Sequence, residues 1–195
     1  MESLMRKLET IVEEKMLPMK GTAHSYEHAK RVLKVASFLA EKEKADMELV
    51  RIGAVLHDIG WSLGQPHNET GAKLASEILG QVNYPRERSE KIVKIVLHHP
   101  FDLRDKLETL EERIVWDADK IDLLGAVGIA RGFHWCGKRT FEDAVKLSFE
   151  VFSPIYDMLI TPTAKKIARN RNNETMSFLS ALPKELSLSD LGMEI

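Results

Sequence analysis

Apolar residues return every three or four positions along most of this chain, and the two-residue alternation of a half-buried strand is almost absent. Leu4, Leu8, Ile11 and Val12 predict a first amphipathic helix that stops near Pro18. Residues 20–28 open a second, in which His28, Val32, Val35, Ala36 and Leu39 follow an i, i+4, i+7, i+8, i+11 stripe, so His28 lies on the buried face. Asp46 caps a third helix with Leu49, Ile52, Gly53 and Leu56 inward. It runs to His57-Asp58, with Gly60 as its stop. Residues 61–67 read as a loop, and Asn68 as the cap of a fourth helix carrying Ala72, Leu74, Ala75, Ile78 and Leu79. Pro85 begins a fifth, with Ile92, Val93, Ile95, Val96 and Leu97, ending at His98-His99-Pro100.

Thr109-x-x-Glu112 is a capping box for the sixth helix, which in this reading continues through Ile114, Val115, Asp119, Leu123, Ala126 and Ala130. Asp119 and Leu123 share a face, so a carboxylate points inward. Gly125, Ala126, Gly128 and Ala130 leave room for a close helix neighbour. Thr140 caps a seventh helix through Ala144, Leu147, Val151 and Ile155. Thr161-Pro162 has the cap-then-proline start of a last long helix holding Ala164, Ile167, Ala168, Met176, Phe178 and Leu179. The tail after Pro183 is polar and expected to be peripheral. No linker or repeat interrupts the pattern, so the expectation is one all-α domain over 1–195, with core helices over about 20–135 and C-terminal helices over about 140–182.

Composition narrows the picture without changing it. The 195 residues are 44% hydrophobic and 30% charged, a globular balance long enough to bury a sizeable core. A net charge of −2 gives no argument for a nucleic-acid or membrane surface as a whole, and leaves room for local basic groups in a cleft. The start lacks the apolar core of a signal peptide, and no apolar run approaches the roughly 20 residues that span a bilayer. The single cysteine, Cys136, excludes an intrachain disulfide and fits a reducing, cytoplasmic setting. Homo-oligomers are compatible with all of this.

The chemistry lies in where His and Asp fall. Three separated helices each place metal-ligand residue types on a buried face: His28, His57 with Asp58, and Asp119. Each alone is more often a satisfied core polar group than a ligand. Together they bury carboxylates that need cations or donors beside them, and a divalent metal would satisfy both.

This arrangement, H…HD…D on an all-helical frame, resembles the HD superfamily of metal-dependent phosphohydrolases. The flanks agree: His-Ser-Tyr-Glu-His at 24–28 looks like its first helix, and Asp-Ala-Asp-Lys-Ile-Asp at 117–122 resembles the Asp-Ala-Asp-Arg-Leu-Asp of a bacterial and archaeal hydrolase subgroup. Residues 159–169 resemble that subgroup's C-terminal helix, so the likeness covers residues from about 20 to 182. It implies His28, His57, Asp58 and Asp119 as metal ligands, with Asp117 supporting them or opening its helix. Ser25 stands where the subgroup has Asp and Lys120 where it has Arg, which loses a bidentate fork and weakens any transfer of substrate preference.

Some superfamily members hold a second metal on two more histidines, and His67 and His98-His99 fall in those places. Ile92, Ile95, Val96 and His99 share a helical face, favouring His99 over His98. A loop histidine at 67 and a helix-terminal imidazole at 99 are the plain alternatives. His24 and His134 read as structural or supporting groups. The implied reaction is hydrolysis of a phosphate ester or pyrophosphate, a small nucleotide above all. One or two ions of manganese, iron, cobalt or nickel would serve. Asp58 would orient or deprotonate the water, and Lys120, Arg31 and Arg131 would hold phosphates, unless these cations form a solvated face or helix salt bridges. Trp61, Phe101, Phe133 and Trp135 could stack on a base or simply pack. Two other functions stay open: a di-iron oxygenase on the six-ligand site, and a non-catalytic nucleotide sensor.

Overall fold

In the computed structural model, residues 2–137 and 139–192 are described. They form ten α-helices joined by short 3-10 turns, and no strand occurs among the described residues. The all-α expectation therefore holds. No helix among them is long and apolar enough to cross a membrane. The chain divides into two compact units, Met1–Asp119 and Lys120–Ile195.

The first unit is built around its most apolar helix. Helix α3, Met47–Leu56, follows α1 (Glu2–Lys15) and α2 (Tyr26–Glu43). Seven of its ten residues are buried: Leu49, Val50, Ile52, Gly53, Ala54, Val55 and Leu56. A helix with so little polar surface is stable only when surrounded. Met5, Leu8, Val12 and Met16 from the α1 segment cover it, together with Ile92 and Val96 of α5 (Arg86–His98) and Leu74, Ala75, Ile78 and Leu79 of α4 (His67–Gln81). Each fully buried side chain of this size contributes about 1.5–3 kcal/mol of transfer free energy. Gly53 allows α5 to approach, since a Cβ there would lie 2.8 Å from Ile95 Cγ2. Asp46 caps α3 as expected, accepting from the amides of Glu48 and Leu49.

Two helix boundaries differ from the expected ones, and both differences shape the site. Gly60 does not stop α3. The helix ends at Leu56, and Gly60 lies inside a 3-10 turn, Ile59–Ser62. Its lack of a Cβ serves packing instead, because a Cβ would fall 1.8 Å from the carbonyl oxygen of His67. Asn68 does not cap α4, which begins one residue earlier at His67; the Asn68 amide donates to the Leu97 carbonyl. His67 thereby moves from an expected loop to the first position of a helix. Pro85 directly precedes α5.

The sixth helix also ends early. Helix α6 spans Leu110–Ile121, and a separate α7 spans Gly125–Trp135. The Thr109–Glu112 cap is present, with Thr109 Oγ1 accepting from the Glu112 amide while the Glu112 carboxylate accepts from the Glu108 amide. The single helix expected through Ala130 is broken because Gly125 takes a left-handed conformation, φ +74°. A Cβ on Gly128 would also meet the Leu123 backbone at 2.1 Å. Leu123 thus falls between helices and no longer shares a helical face with Asp119.

In the second unit α7 is followed by α8 (Phe141–Phe152), α9 (Ile155–Met158) and α10 (Pro162–Leu186). Ile155 therefore belongs to α9 rather than to α8. Thr140 and Thr161 are the caps of α8 and α10, accepting from Asp143 N and Ala164 N. The small face of α7 is used only in part: the Gly125 amide donates to Thr175 Oγ1 and Gly132 admits the Phe152 ring, whereas Ala126 and Ala130 are exposed. Helix α10 continues past Pro183 to Leu186, so the segment just after that proline is helical.

Candidate metal centre

The end of α3 is where the polar groups gather. His57 closes the helix with its ring fully buried, and its Nδ1 donates to the Ala54 carbonyl at 2.8 Å. That bond fixes the tautomer, leaving Nε2 as a lone pair facing inward. His28, on the buried stripe of α2, brings its Nε2 to 3.2 Å from His57 Nε2. Asp119 of α6 places Oδ1 3.2 Å from His28 Nε2 and 3.8 Å from His57 Nε2. Three helices thus converge one ligand-type atom each.

A second group forms beside the first. His99, at the C-terminus of α5, donates Nδ1 to the Val96 carbonyl at 2.7 Å, the same arrangement as His57. Its Nε2 lies 3.1 Å from His67 Nε2 and 3.2 Å from Asp58 Oδ1. His67 in turn has Nδ1 3.3 Å from Gln65 Oε1. Asp58 joins the groups: its other oxygen, Oδ2, lies 3.4 Å from His28 Nε2 and 3.6 Å from His57 Nε2. His28, His57 and Asp119 could hold one ion, and Asp58, His67 and His99 another.

The donor set fits a divalent transition metal. With their Nδ1 hydrogens donated elsewhere, His57, His67 and His99 turn lone pairs toward one another and toward two carboxylates, an arrangement that is repulsive without a cation. Burial drives the His57 and His67 imidazoles down to about 4, so both are neutral near pH 7. Two atoms each about 2.1 Å from one ion stand about 3.0 Å apart at a right angle and about 3.4 Å apart at the tetrahedral angle. Most of the spacings above fall in or near that range. Burial opposes ionisation of Asp58, but the imidazoles of His57 and His24 and the hydrogen bond from His24 outweigh it and hold the carboxyl well below the usual carboxylate range.

The remaining expected residues sort clearly. His99 faces the centre, while His98 turns to Glu112 at 3.5 Å. His24 Nδ1 donates to Asp58 Oδ2 at 3.0 Å. Trp61 stacks on His24 (centroids 4.2 Å apart) and on His67 (4.4 Å). Sequence reasoning missed this: Trp61 read as a base-stacking or packing ring, because nothing in the spacing of 24, 61 and 67 reveals a common stack. Asp117 is buried two turns into α6, so it does not open that helix. Lys120 is buried in the last turn of α6 and Arg31 is half-buried one turn beyond His28. Arg131 pairs with Asp122 at 2.8 Å. Phe101 packs edge-on against Trp116 and Phe133 against Phe178, while Trp135 and His134 are exposed on α7.

Comparison with known proteins agrees with this frame. The HD domain family model matches residues 25–124. YpgQ of Bacillus subtilis (strain 168) is 29% identical over 184 residues, 88% of this chain and 88% of YpgQ. The crystal structure of B. subtilis YpgQ in complex with ADP has a TM-score of 0.75 at 25% identity, covering 93% of this chain and 97% of that one. An HD-superfamily hydrolase from Bacillus thuringiensis gives 0.76 at 26% identity over 95% and 98%. A predicted HD superfamily hydrolase from an uncultured Thermotogales bacterium gives 0.69 at 28% identity over 93% and 92%. With the family model matching just over half of its residues and the H…HD…D side chains converging, the chain belongs to the HD domain family.

Proposed function

We propose that this protein is a metal-dependent phosphohydrolase that cleaves a small nucleotide or another phosphate ester or pyrophosphate. The observation that carries the reading is the division of Asp58, one carboxylate oxygen toward each histidine-containing group. The hydrolase relatives and the ADP complex of YpgQ support the substrate class. His28, His57 and Asp119 would hold one ion and Asp58, His67 and His99 a second; manganese, iron, cobalt and nickel all suit these ligands. Bound there, such an ion polarises a phosphoryl oxygen and lowers the pKa of its water.

The chain's own groups do the rest. Asp58 is ionised and held by the His24 Nδ1–H, so Oδ2 is fixed as an acceptor able to orient a water or take its proton. Arg31, one turn beyond His28, supplies positive charge for a phosphate.

The test is Asp58→Ala, assayed for phosphate and pyrophosphate release from nucleoside diphosphates and triphosphates with Mn2+, Co2+, Ni2+ or Fe2+. Turnover should fall at least about a hundredfold with the helical signal intact. Wild-type turnover in the variant would remove Asp58, and no release by the wild type with any of these ions would overturn the hydrolase reading. The six-residue ligand set also suits a di-iron oxygenase. Oxygen uptake by the iron-loaded protein with an organic substrate would favour that reading, since hydrolysis consumes none.

A further inference from the structure

Trp61 lies in the 3-10 turn that begins just after Asp58, and its amide donates to the Asp58 carbonyl at 3.1 Å. Its indole plane is within 18° of the His24 ring and 20° of the His67 ring. Its Nε1 is buried and has no hydrogen-bond partner among the described residues. A tryptophan whose one polar side-chain atom makes no bond is placed by its ring contacts, here two imidazoles. These imidazoles are not equivalent. His24 donates to Asp58, and His67 brings Nε2 to 3.1 Å from His99. One indole therefore touches the group that holds Asp58 and a member of the Asp58–His67–His99 group.

His67 needs such support more than the other candidate ligands. His57 and His99 are buried and pinned by backbone carbonyls, whereas His67 is the first residue of α4, half-buried, and its Nδ1 is braced by the Gln65 side chain at 3.3 Å. An imidazole at a helix start with one long hydrogen bond can swing toward solvent unless a face is covered.

We infer that Trp61 is a positioning residue for the second ion: by stacking on His67 and His24 it holds the Asp58–His67–His99 group in ligating geometry. The assignment rests on the metal-dependent reading above. It places the determinant of one-ion or two-ion binding in a residue that is itself no ligand.

The test compares wild type with Trp61→Phe, which keeps an aromatic face, and Trp61→Leu, which keeps apolar bulk without one. Trp61→Met replaces the leucine variant if that does not fold. Each is titrated with Mn2+ after chelator treatment, and bound ions are counted by elemental analysis. Wild type should bind two ions. Trp61→Leu should keep the first with unchanged affinity and bind the second about tenfold to a hundredfold more weakly, the usual range for a group that orients a ligand. Trp61→Phe should stay close to wild type. Two ions of wild-type affinity in Trp61→Leu overturn the assignment alone, as does equal weakening in Trp61→Phe and Trp61→Leu. A single ion in wild type overturns it and leaves a mononuclear hydrolase. No ion in wild type overturns both this assignment and the reading on which it rests.

Discussion

Gly60 and Gly71 meet backbone to backbone: a Cβ on Gly60 would lie 2.6 Å from the amide nitrogen of Gly71, and 1.8 Å from the carbonyl oxygen of His67. This contact seats the turn after Asp58 on the first turn of α4. Gly60→Ala cannot be accommodated by a side-chain shift, because the obstacle is backbone. It should destabilise the fold by about 3 kcal/mol, the upper end of overpacking costs. Urea unfolding would show a lower midpoint at unchanged slope. Gly71→Ala meets nothing closer than 3.2 Å and should cost less. The reverse order would mean that this contact does not hold the two segments together.

The two ligand groups predict separable metal losses. His67→Ala and His99→Ala should each remove one bound ion, and His28→Ala and Asp119→Ala should each remove the other. Asp58→Ala should weaken both, because each group faces one of its oxygens. Elemental analysis of protein purified without chelator gives the count. Chelation should also lower the unfolding temperature, since ions at a hundredfold their Kd add about 2.7 kcal/mol. A count that falls alike in all five variants would point to one shared site.

What could be read from the sequence follows the kind of signal each residue gives. His28, His57, Asp119 and His99 sit on helices whose apolar stripes fix their direction, and all four are buried. The preference for His99 over His98 came from that phase, and only His99 faces Asp58. Gly60 and Asn68 were misread as helix boundaries, and Gly125, conversely, as a small residue inside one continuous helix. Glycine and asparagine signal a boundary only where no tertiary contact demands them. Gly60 serves a backbone approach, Asn68 reaches the Leu97 carbonyl, and Gly125 turns the chain between α6 and α7. Trp61 was beyond periodicity altogether, because rings that stack across 37 and 6 residues of separation share no helical face.

Asp46 predicts an acid-sensitive joint in the first unit. It accepts from two α3 amides and forms a bidentate pair with Arg88 at 2.9 Å for each bond. The Arg88 hydrogen bonds lower its pKa, against burial and with help from the Leu49 amide. The folded value lies below the unfolded one, so the stabilisation is present above about pH 3.9 and is lost as pH falls through the folded value. Asp46→Asn keeps a capping oxygen but not the charge. The difference from wild type should be on the order of 1 kcal/mol between pH 5 and 7, after allowance for solvent screening of a pair about one-third exposed. It should begin to narrow below about pH 4 and close only below the folded value. A difference that does not narrow at all between about pH 5 and pH 3 would assign the effect to packing rather than charge.

Arg131 was expected to hold substrate phosphate, yet its guanidinium lies 2.8 Å from Asp122 Oδ2 and 3.1 Å from the Asp122 carbonyl. The pair is buried, with side-chain exposures of 10% and 1%, and it braces the break between α6 and α7. Removing one partner leaves a buried charge uncompensated, so Arg131→Ala should cost about 3–5 kcal/mol of stability. Replacing the pair with apolar residues (Arg131→Met with Asp122→Leu) should recover much of that loss. If the role is structural, KM for the nucleotide should stay within about twofold of wild type in whatever fraction folds, because no uniform binding interaction has been removed. A KM raised tenfold or more with stability unchanged would return Arg131 to the substrate.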